Sequence, residues 1–143
     1  MENVNWDEIE LIVLLIRSGR VSALLLEKEL NLMNLSVPQA SIIASIYKWG
    51  DMSATDLCKL TMRDKANLSA LLKKLEKSGH IRTEKNSKDG RRSNLTLTQK
   101  GRKDAQKVKK IQENVSKYIE TKSEHISNIR KFLKSVILES EEN

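Results

Sequence analysis

The chain has very little cysteine and histidine: its 143 residues include one cysteine, Cys58, and two histidines, His80 and His125. A single cysteine excludes an intrachain disulfide framework and is typical of a reducing compartment. These three side chains leave almost nothing for a His/Cys metal cluster or a Cys–His catalytic pair. We therefore expect no metal and no cofactor, and we interpret Cys58 as a buried structural thiol.

Long apolar runs are also missing. The longest uninterrupted one extends from Leu11 to Ile16, far below the roughly 20 residues that span a bilayer. No basic-then-apolar leader opens the chain, and neither a glycine-rich phosphate loop nor a Ser/His/Asp order is present. We therefore expect one compact, basic, cytoplasmic protein that is not an enzyme and does not contact membranes.

The positive charge is concentrated in one third of the chain. The formal net charge is +7, but the stretch from Arg63 to Lys110 alone carries 16 lysines and arginines against 5 acids. Such a block attracts a polyanion, because neutralised phosphates release their condensed counterions. A solvated basic face is the alternative interpretation of the charge alone.

Helical periodicity dominates the sequence, since one proline and five glycines interrupt it rarely. Ser36, Pro38 and Gln39 form a capping box with a proline in the first turn, and Gly50 and Gly79 are natural helix ends. Leu68, Leu71, Leu72 and Leu75 form one buried stripe. The predicted helices cover about residues 5–31, 36–49, 53–60, 64–78, 99–120 and 122–139.

One segment changes to a period of two. His80 to Lys85 and Arg92 to Thr98 are predicted strands, and the Asp89-Gly90 step between them is the strongest hairpin signal in the chain. Two short capped helices followed by a basic hairpin predict a winged helix-turn-helix. The expected fold class is mainly α with a small β-hairpin wing, flanked by N- and C-terminal dimerisation helices.

The fourth helix carries the functional argument. If its leucine stripe faces inward, Ala66, Ala70, Lys73 and Lys77 lie on the outward line. A helix that enters the DNA major groove must carry small side chains on the entering face and must offer hydrogen-bond donors to phosphates and base edges. A solvated helix made of good helix formers is the alternative. At the hairpin tip, Arg91 can enter a narrow minor groove and Asp89 can orient its guanidinium.

These segments resemble the MarR (multiple-antibiotic-resistance regulator) family. The step Leu75-Glu76-Lys77-Ser78-Gly79-His80-Ile81 is similar to the family's passage from recognition helix to wing. Asp89-Gly90-Arg91, followed by Leu95-Thr96-Leu97-Thr98-Gln99-Lys100-Gly101, is similar to its wing signature. The resemblance implies a homodimeric, usually repressing regulator of transcription that binds double-stranded DNA.

The resemblance also implies a set of DNA-contacting residues, with Arg91 as the minor-groove reader. Ala70 stands where many members have arginine, and Gly90 stands where arginine is common, so base preference does not transfer. The expected DNA-binding residues are Lys65, Ala66, Asn67, Ser69, Ala70, Lys73, Lys74, Lys88, Asp89, Arg91 and Arg92.

The long flanking helices have more apolar surface than one protomer of this size covers, which predicts a homodimer. An intramolecular bundle in a monomer is the alternative. We predict three segments within one continuous domain: residues 1–35 and 101–143 for dimerisation and 36–100 for DNA binding. The family commonly binds phenolic or carboxylate effectors. Five aromatics could line such a pocket, although aromatics in these patterns are more often core residues: Trp6, Tyr47, Trp49, Tyr118 and Phe132.

Two functions therefore remain open at the level of sequence. The first is a ligand-responsive, dimeric, DNA-binding repressor acting on a near-palindromic operator. The second is a winged-helix protein-interaction module, in which the winged segment docks a partner protein and the basic face is incidental.

Overall fold

The fold is a winged helix-turn-helix between two long helical segments. The computed structural model describes residues 4–85 and 93–139. Its helices are α1 (Leu11–Leu30), α2 (Val37–Trp49), α3 (Ala54–Thr61), α4 (Lys65–Lys77), α5 (Gln99–Glu120) and α6 (Ile126–Glu139), and its strands are β1 (Ile81–Lys85) and β2 (Ser93–Leu97).

Four of the helices begin at a side chain that accepts a hydrogen bond from the first turn. Ser36, Ser53, Asp64 and Thr98 cap α2, α3, α4 and α5 respectively. At α2 the predicted capping box is complete, because the Gln39 side chain also bonds back to the Ser36 backbone. Each cap satisfies an otherwise unpaired backbone donor and so defines where its helix starts.

The first long helix differs from its prediction. Asn5 caps only a 3-10 turn, Trp6–Glu8, and the backbone is then extended at Ile9, so α1 begins at Leu11. Its 20 residues give a length of about 30 Å rather than the expected 40 Å. The sixth helix is likewise shorter than predicted and starts at Ile126. At the end of α2, Gly50 has φ 87° and ψ −175°, which is a glycine conformation but not the left-handed helical one that was predicted.

The hairpin pairs β1 with β2 in antiparallel register, with Ile81 opposite Leu97. Met52 adds a third short segment that the sequence did not predict: the Leu95 backbone N–H donates to the Met52 carbonyl at 2.8 Å. Nearby, the Thr96 hydroxyl donates to Asp51 at 2.6 Å. These contacts anchor the base of the hairpin against the loop that follows α2.

One apolar core joins the helices and the hairpin. Its buried members come from α1, the α1–α2 connection, α2, α3, α4, both strands and α5. Within the described residues, no helix is long and apolar enough to cross a membrane. The completely buried large side chains are Leu30, Ile42, Ile43, Leu57, Leu68, Leu75 and Val108.

Candidate nucleic-acid interface

Helix α4 buries its leucine stripe and exposes the opposite face. Leu68 and Leu75 are fully buried, and Leu71 and Leu72 pack against the core while partly buried. The predicted outward residues are therefore on the surface, because a helix that buries one stripe presents the other to solvent. The exposed side chains of α4 include Lys65, Ala66, Asn67, Ser69, Ala70, Lys73, Lys74 and Lys77.

The exposed face is slim in its first half and cationic in its second. Ala66 and Ala70 add only methyl groups, so another surface can approach the backbone there closely. Lys73, Lys74 and Lys77 follow within the last two turns. This order, small residues and then ammonium groups, matches what a helix needs in order to enter a groove lined by phosphates.

The N-terminus of α4 is capped by Asp64, the residue at which this helix was predicted to begin. The Asp64 carboxylate accepts the Asn67 backbone N–H at 2.8 Å and also accepts from the Asn67 side-chain amide. These hydrogen bonds, the backbone one first, lower the pKa of Asp64 below its usual value. Asn67 consequently keeps its amide oxygen and one amide hydrogen available for a base edge.

The predicted residues at the wing tip lie outside the described residues. This applies to Lys88, Asp89, Arg91 and Arg92, so their roles stay predictions. Closer to the base of the hairpin, Arg82 donates to Glu84 at 2.6 Å, and Thr83 donates to Glu76 on α4. The hairpin is thus attached to α4 through the part of β1 that the structure describes.

A polar joint connects the end of α4 to α5, and the sequence interpretation missed it. His80 is buried, with 3% of its surface exposed. Its imidazole also bonds to Ser78 through Nδ1 (2.7 Å) and to Asp104 through Nε2 (3.2 Å). Asp104 lies 24 residues away from His80 along the chain, so no local spacing signals the pair.

The five aromatic side chains are divided between two grooves and the surface of α6. Tyr47 and Trp49 line a groove of about 710 Å³ between α2 and α5. Trp6 and Tyr118 line a second groove, between α1 and the end of α5. Phe132 lies on α6 and is 41% exposed. The five aromatics therefore do not form a single cluster.

The remaining candidates have structural surroundings. Cys58 is partly buried, packs against the core and lines a cleft of about 410 Å³ between α3 and α4. His125 lies exposed in the turn before α6. Across residues 4–85 and 93–139, no cluster of three or more His, Cys, Asp or Glu side chains could hold a metal ion.

Most of the winged segment matches a known family model. Residues 35–93 match the family model described as the MarR family. The HTH-type transcriptional regulator TtmR of Methylorubrum extorquens (strain PA1) is 32% identical over 68 residues, which cover 48% of this chain. The match covers 35% of TtmR, so the chain spans only about a third of that relative.

Solved structures match over almost the whole chain. The Staphylococcus aureus MepR–DNA complex has a TM-score of 0.80 at 18% identity, covering 94% of this chain and 99% of MepR. The Bordetella bronchiseptica regulator BpsR, whose DNA binding is regulated by 6-hydroxynicotinic acid, has a TM-score of 0.81 at 18% identity, covering 93% and 96%. At these identities the likeness concerns the fold, and the predicted winged-helix architecture is confirmed.

Proposed function

Since residues 35–93 of this chain match the family model described as the MarR family, we propose that the protein is a dimeric transcription regulator that represses genes by binding a near-palindromic operator. Helix α4 enters the major groove and the wing enters the adjacent minor groove. The observation that carries this proposal is the exposed face of α4, which is small-sided at Ala66 and Ala70 and cationic at Lys73 and Lys74.

Within this proposal the contacts divide by position on α4. Lys65, Asn67 and Ser69 lie in the first turns, where groove-entering helices meet base edges. Ala66 and Ala70 permit close approach and offer methyl contacts to thymine. Lys73 and Lys74 bind phosphates or a guanine edge. On the wing, Arg91 reads the minor groove with Asp89 as its orienting partner, and Lys88 and Arg92 add phosphate contacts.

The exposed apolar surface of the outer helices supports a homodimer. Large apolar side chains on α1 and α6 are 41–66% exposed in one protomer, an unusual amount of apolar surface to leave in water. Two-fold symmetry also doubles the DNA contacts on a palindromic site. The most exposed members on these helices are Leu11, Ile12, Ile16, Val21, Leu24, Val136, Ile137 and Leu138.

The decisive experiment is a salt-dependent DNA titration. Genomic footprinting first identifies a bound duplex, and fluorescence anisotropy then measures its affinity at two salt concentrations. Replacing Lys73 with Gln should weaken DNA binding. It should also reduce, by about 1, the slope of the logarithm of the binding constant against the logarithm of the salt concentration. The matched control is Lys117→Gln, an exposed lysine in the last turn of α5, which should leave both quantities unchanged.

The same titration also tests the role of the wing and the choice between the two functions. Arg91→Ala should weaken binding without changing the circular dichroism spectrum, and unchanged affinity would remove the wing from the mechanism. If the wild-type protein shows no salt-dependent duplex binding, the regulator function is wrong and the winged-helix protein-interaction module takes its place.

We further propose that a small aromatic carboxylate binds the groove between α2 and α5 and changes the separation of the two recognition helices. The groove combines the Tyr47 and Trp49 rings with the Lys48 and Lys109 ammonium groups, of which Lys109 pairs with the Glu113 carboxylate at 3.7 Å in the same groove. The Lys48 Nζ lies 4.7 Å from the Trp49 ring centroid, so an aromatic anion would meet both a flat ring and a positive charge.

Tryptophan fluorescence tests the ligand site with 6-hydroxynicotinic acid as the probe. Binding in this groove should quench the emission of the wild-type protein and of the Trp6→Phe variant, since Trp6 lines the other groove. In the Trp49→Phe variant the quenching should disappear. Equal quenching in both variants, or no quenching in the wild type, would show that the ligand does not bind in this groove.

A further inference from the structure

His80 lies at the point where the recognition helix, the hairpin and α5 meet. Ser78 ends α4, Gly79 takes a positive φ of 73°, and His80 directly precedes β1. The His80 carbonyl accepts the Thr98 backbone N–H at 3.0 Å, and the Thr98 hydroxyl donates to the Gly79 carbonyl at 2.6 Å. Because Thr98 caps α5, these bonds attach the N-terminus of α5 to the end of α4.

The His80 side chain makes a second connection between the same two helices. Nδ1 contacts the Ser78 hydroxyl at 2.7 Å and Nε2 contacts the Asp104 carboxylate at 3.2 Å. Beside them, the Lys100 ammonium donates to the Ser78 carbonyl at 2.6 Å. Both ring nitrogens of a 3% exposed imidazole are thus engaged, one on the α4 side and one on α5.

The contacts of the ring fit its neutral form. An Nε2–H donates to the Asp104 carboxylate, and an unprotonated Nδ1 accepts the Ser78 hydroxyl hydrogen. If Nδ1 carried a second proton, it would donate to the Ser78 oxygen, and the Ser78 hydroxyl would keep only the Leu75 carbonyl, at 3.2 Å, as its acceptor. Protonation therefore places a positive charge in a buried site, which costs free energy because the charge is desolvated.

We propose that His80 is a positioning residue for DNA binding: the Ser78–His80–Asp104 joint holds the recognition helix at a fixed angle to α5 while the imidazole is neutral, and protonation releases it. This inference rests on the proposed function, because α4 is taken as the element that meets DNA. It adds a proton-linked control of that element's orientation, carried by residues outside the predicted DNA contacts.

The charges around the ring support the direction of the effect. Burial, and next the positive charge of Lys100, lower the pKa of His80 below 6.5, whereas Asp104 acts in the opposite sense. Among the described residues these two charged groups act on the ring, both from α5, and Lys107 holds the other Asp104 oxygen at 3.2 Å.

The direction of the pH dependence follows from the linkage between proton binding and the opening of the joint. An opened joint exposes His80 and restores its ordinary pKa near 6.5, so the opened form binds the proton more readily than the closed form. The closed joint is therefore stable above pH 6.5 and becomes less favoured as the pH falls below that value. Operator affinity should decrease over the same interval, because an unattached α4 must be ordered again on binding.

The chain supplies a matched control, since its other histidine is exposed in the turn before α6. The affinity for the footprinted duplex is measured from pH 7.5 to 5.5 at constant ionic strength. The wild-type protein and His125→Gln should lose affinity by about fivefold or more. His80→Gln keeps an amide near the Nε2 position but cannot titrate, so its affinity should stay constant.

A second variant separates positioning from simple folding. Asp104→Asn removes the charge that favours the protonated ring in the closed joint, so the loss of affinity should still begin near pH 6.5 but should be larger at pH 5.5 than in the wild type. A pH profile that is flat in the wild type, retained in His80→Gln or no larger in Asp104→Asn overturns the inference alone. Absence of duplex binding by the wild-type protein at pH 7.5 overturns the proposed function, and the inference with it.

Discussion

Gly101 shows how one residue determines the distance between two elements. A Cβ atom built on Gly101 would lie 1.9 Å from the His80 carbonyl oxygen and 3.2 Å from a methyl carbon of Leu97. The first contact is with backbone, which cannot rotate away as a flexible side chain could. Glycine is therefore required here for close approach, and this gives a physical reason for the glycine in the wing signature that the sequence resembles.

Replacing Gly101 with Ala should destabilise the protein by about 1–3 kcal/mol or more, because the added methyl must push α5 away from the end of α4. Urea denaturation measures the change. The control is Gly19→Ala in the interior of α1, where nothing lies within 4 Å of the added Cβ, so stability should be unchanged or slightly increased. Equal effects at both glycines would contradict the close approach.

At the same residue scale, the sequence predicted which side chains of α4 are exposed better than it predicted which side chains bond to each other. The outward placement of Ala66, Ala70 and Lys73 followed from the leucine stripe, because exposure on a helix depends only on local periodicity. The contact between His80 and Asp104 depends on how α5 packs after the hairpin, which is long-range information. The attachment of Asn67 to Asp64 is local, and a cap-to-N3 interpretation of Asp64 could have found it.

At the scale of elements, the predictions were accurate where a helix has a strong cap. The starts of α2, α3, α4 and α5 follow Ser36, Ser53, Asp64 and Thr98, as their side chains predict. No side-chain cap marks α1, whose N-cap is Glu10, and this start was placed too early. The short pairing of Met52 with Leu95 depends on a tertiary contact that local patterns do not contain.

At the scale of the whole molecule, α6 is the least covered part of the described chain. Its apolar face is 41–49% exposed along its length, and none of its residues is buried. A single protomer thus leaves an amphipathic helix without a complete partner surface. A second copy of the chain would cover this face, as the dimer of the proposed function requires.

Sedimentation should give a mass near twice 16.3 kDa for the wild-type protein at micromolar concentration. Phe132→Glu places a charge in the exposed apolar face and should shift the equilibrium toward monomer, since a buried unpaired carboxylate is costly. Lys131→Glu introduces the same side chain on the opposite side of α6 and should remain dimeric. A monomeric wild type, or a dimeric Phe132→Glu variant, would show that this face is not the interface.

The contact between Gly101 and the His80 carbonyl also restricts how the protein can change shape. Because two backbones touch with no side chain between them, α5 cannot translate along the end of α4 without a collision. The hydrogen bonds of Thr98 to residues 79 and 80, and of Asp104 to His80, join the same two ends. A small tilt of α5 at its far end would then swing α4 with it through an angle, rather than shifting it sideways.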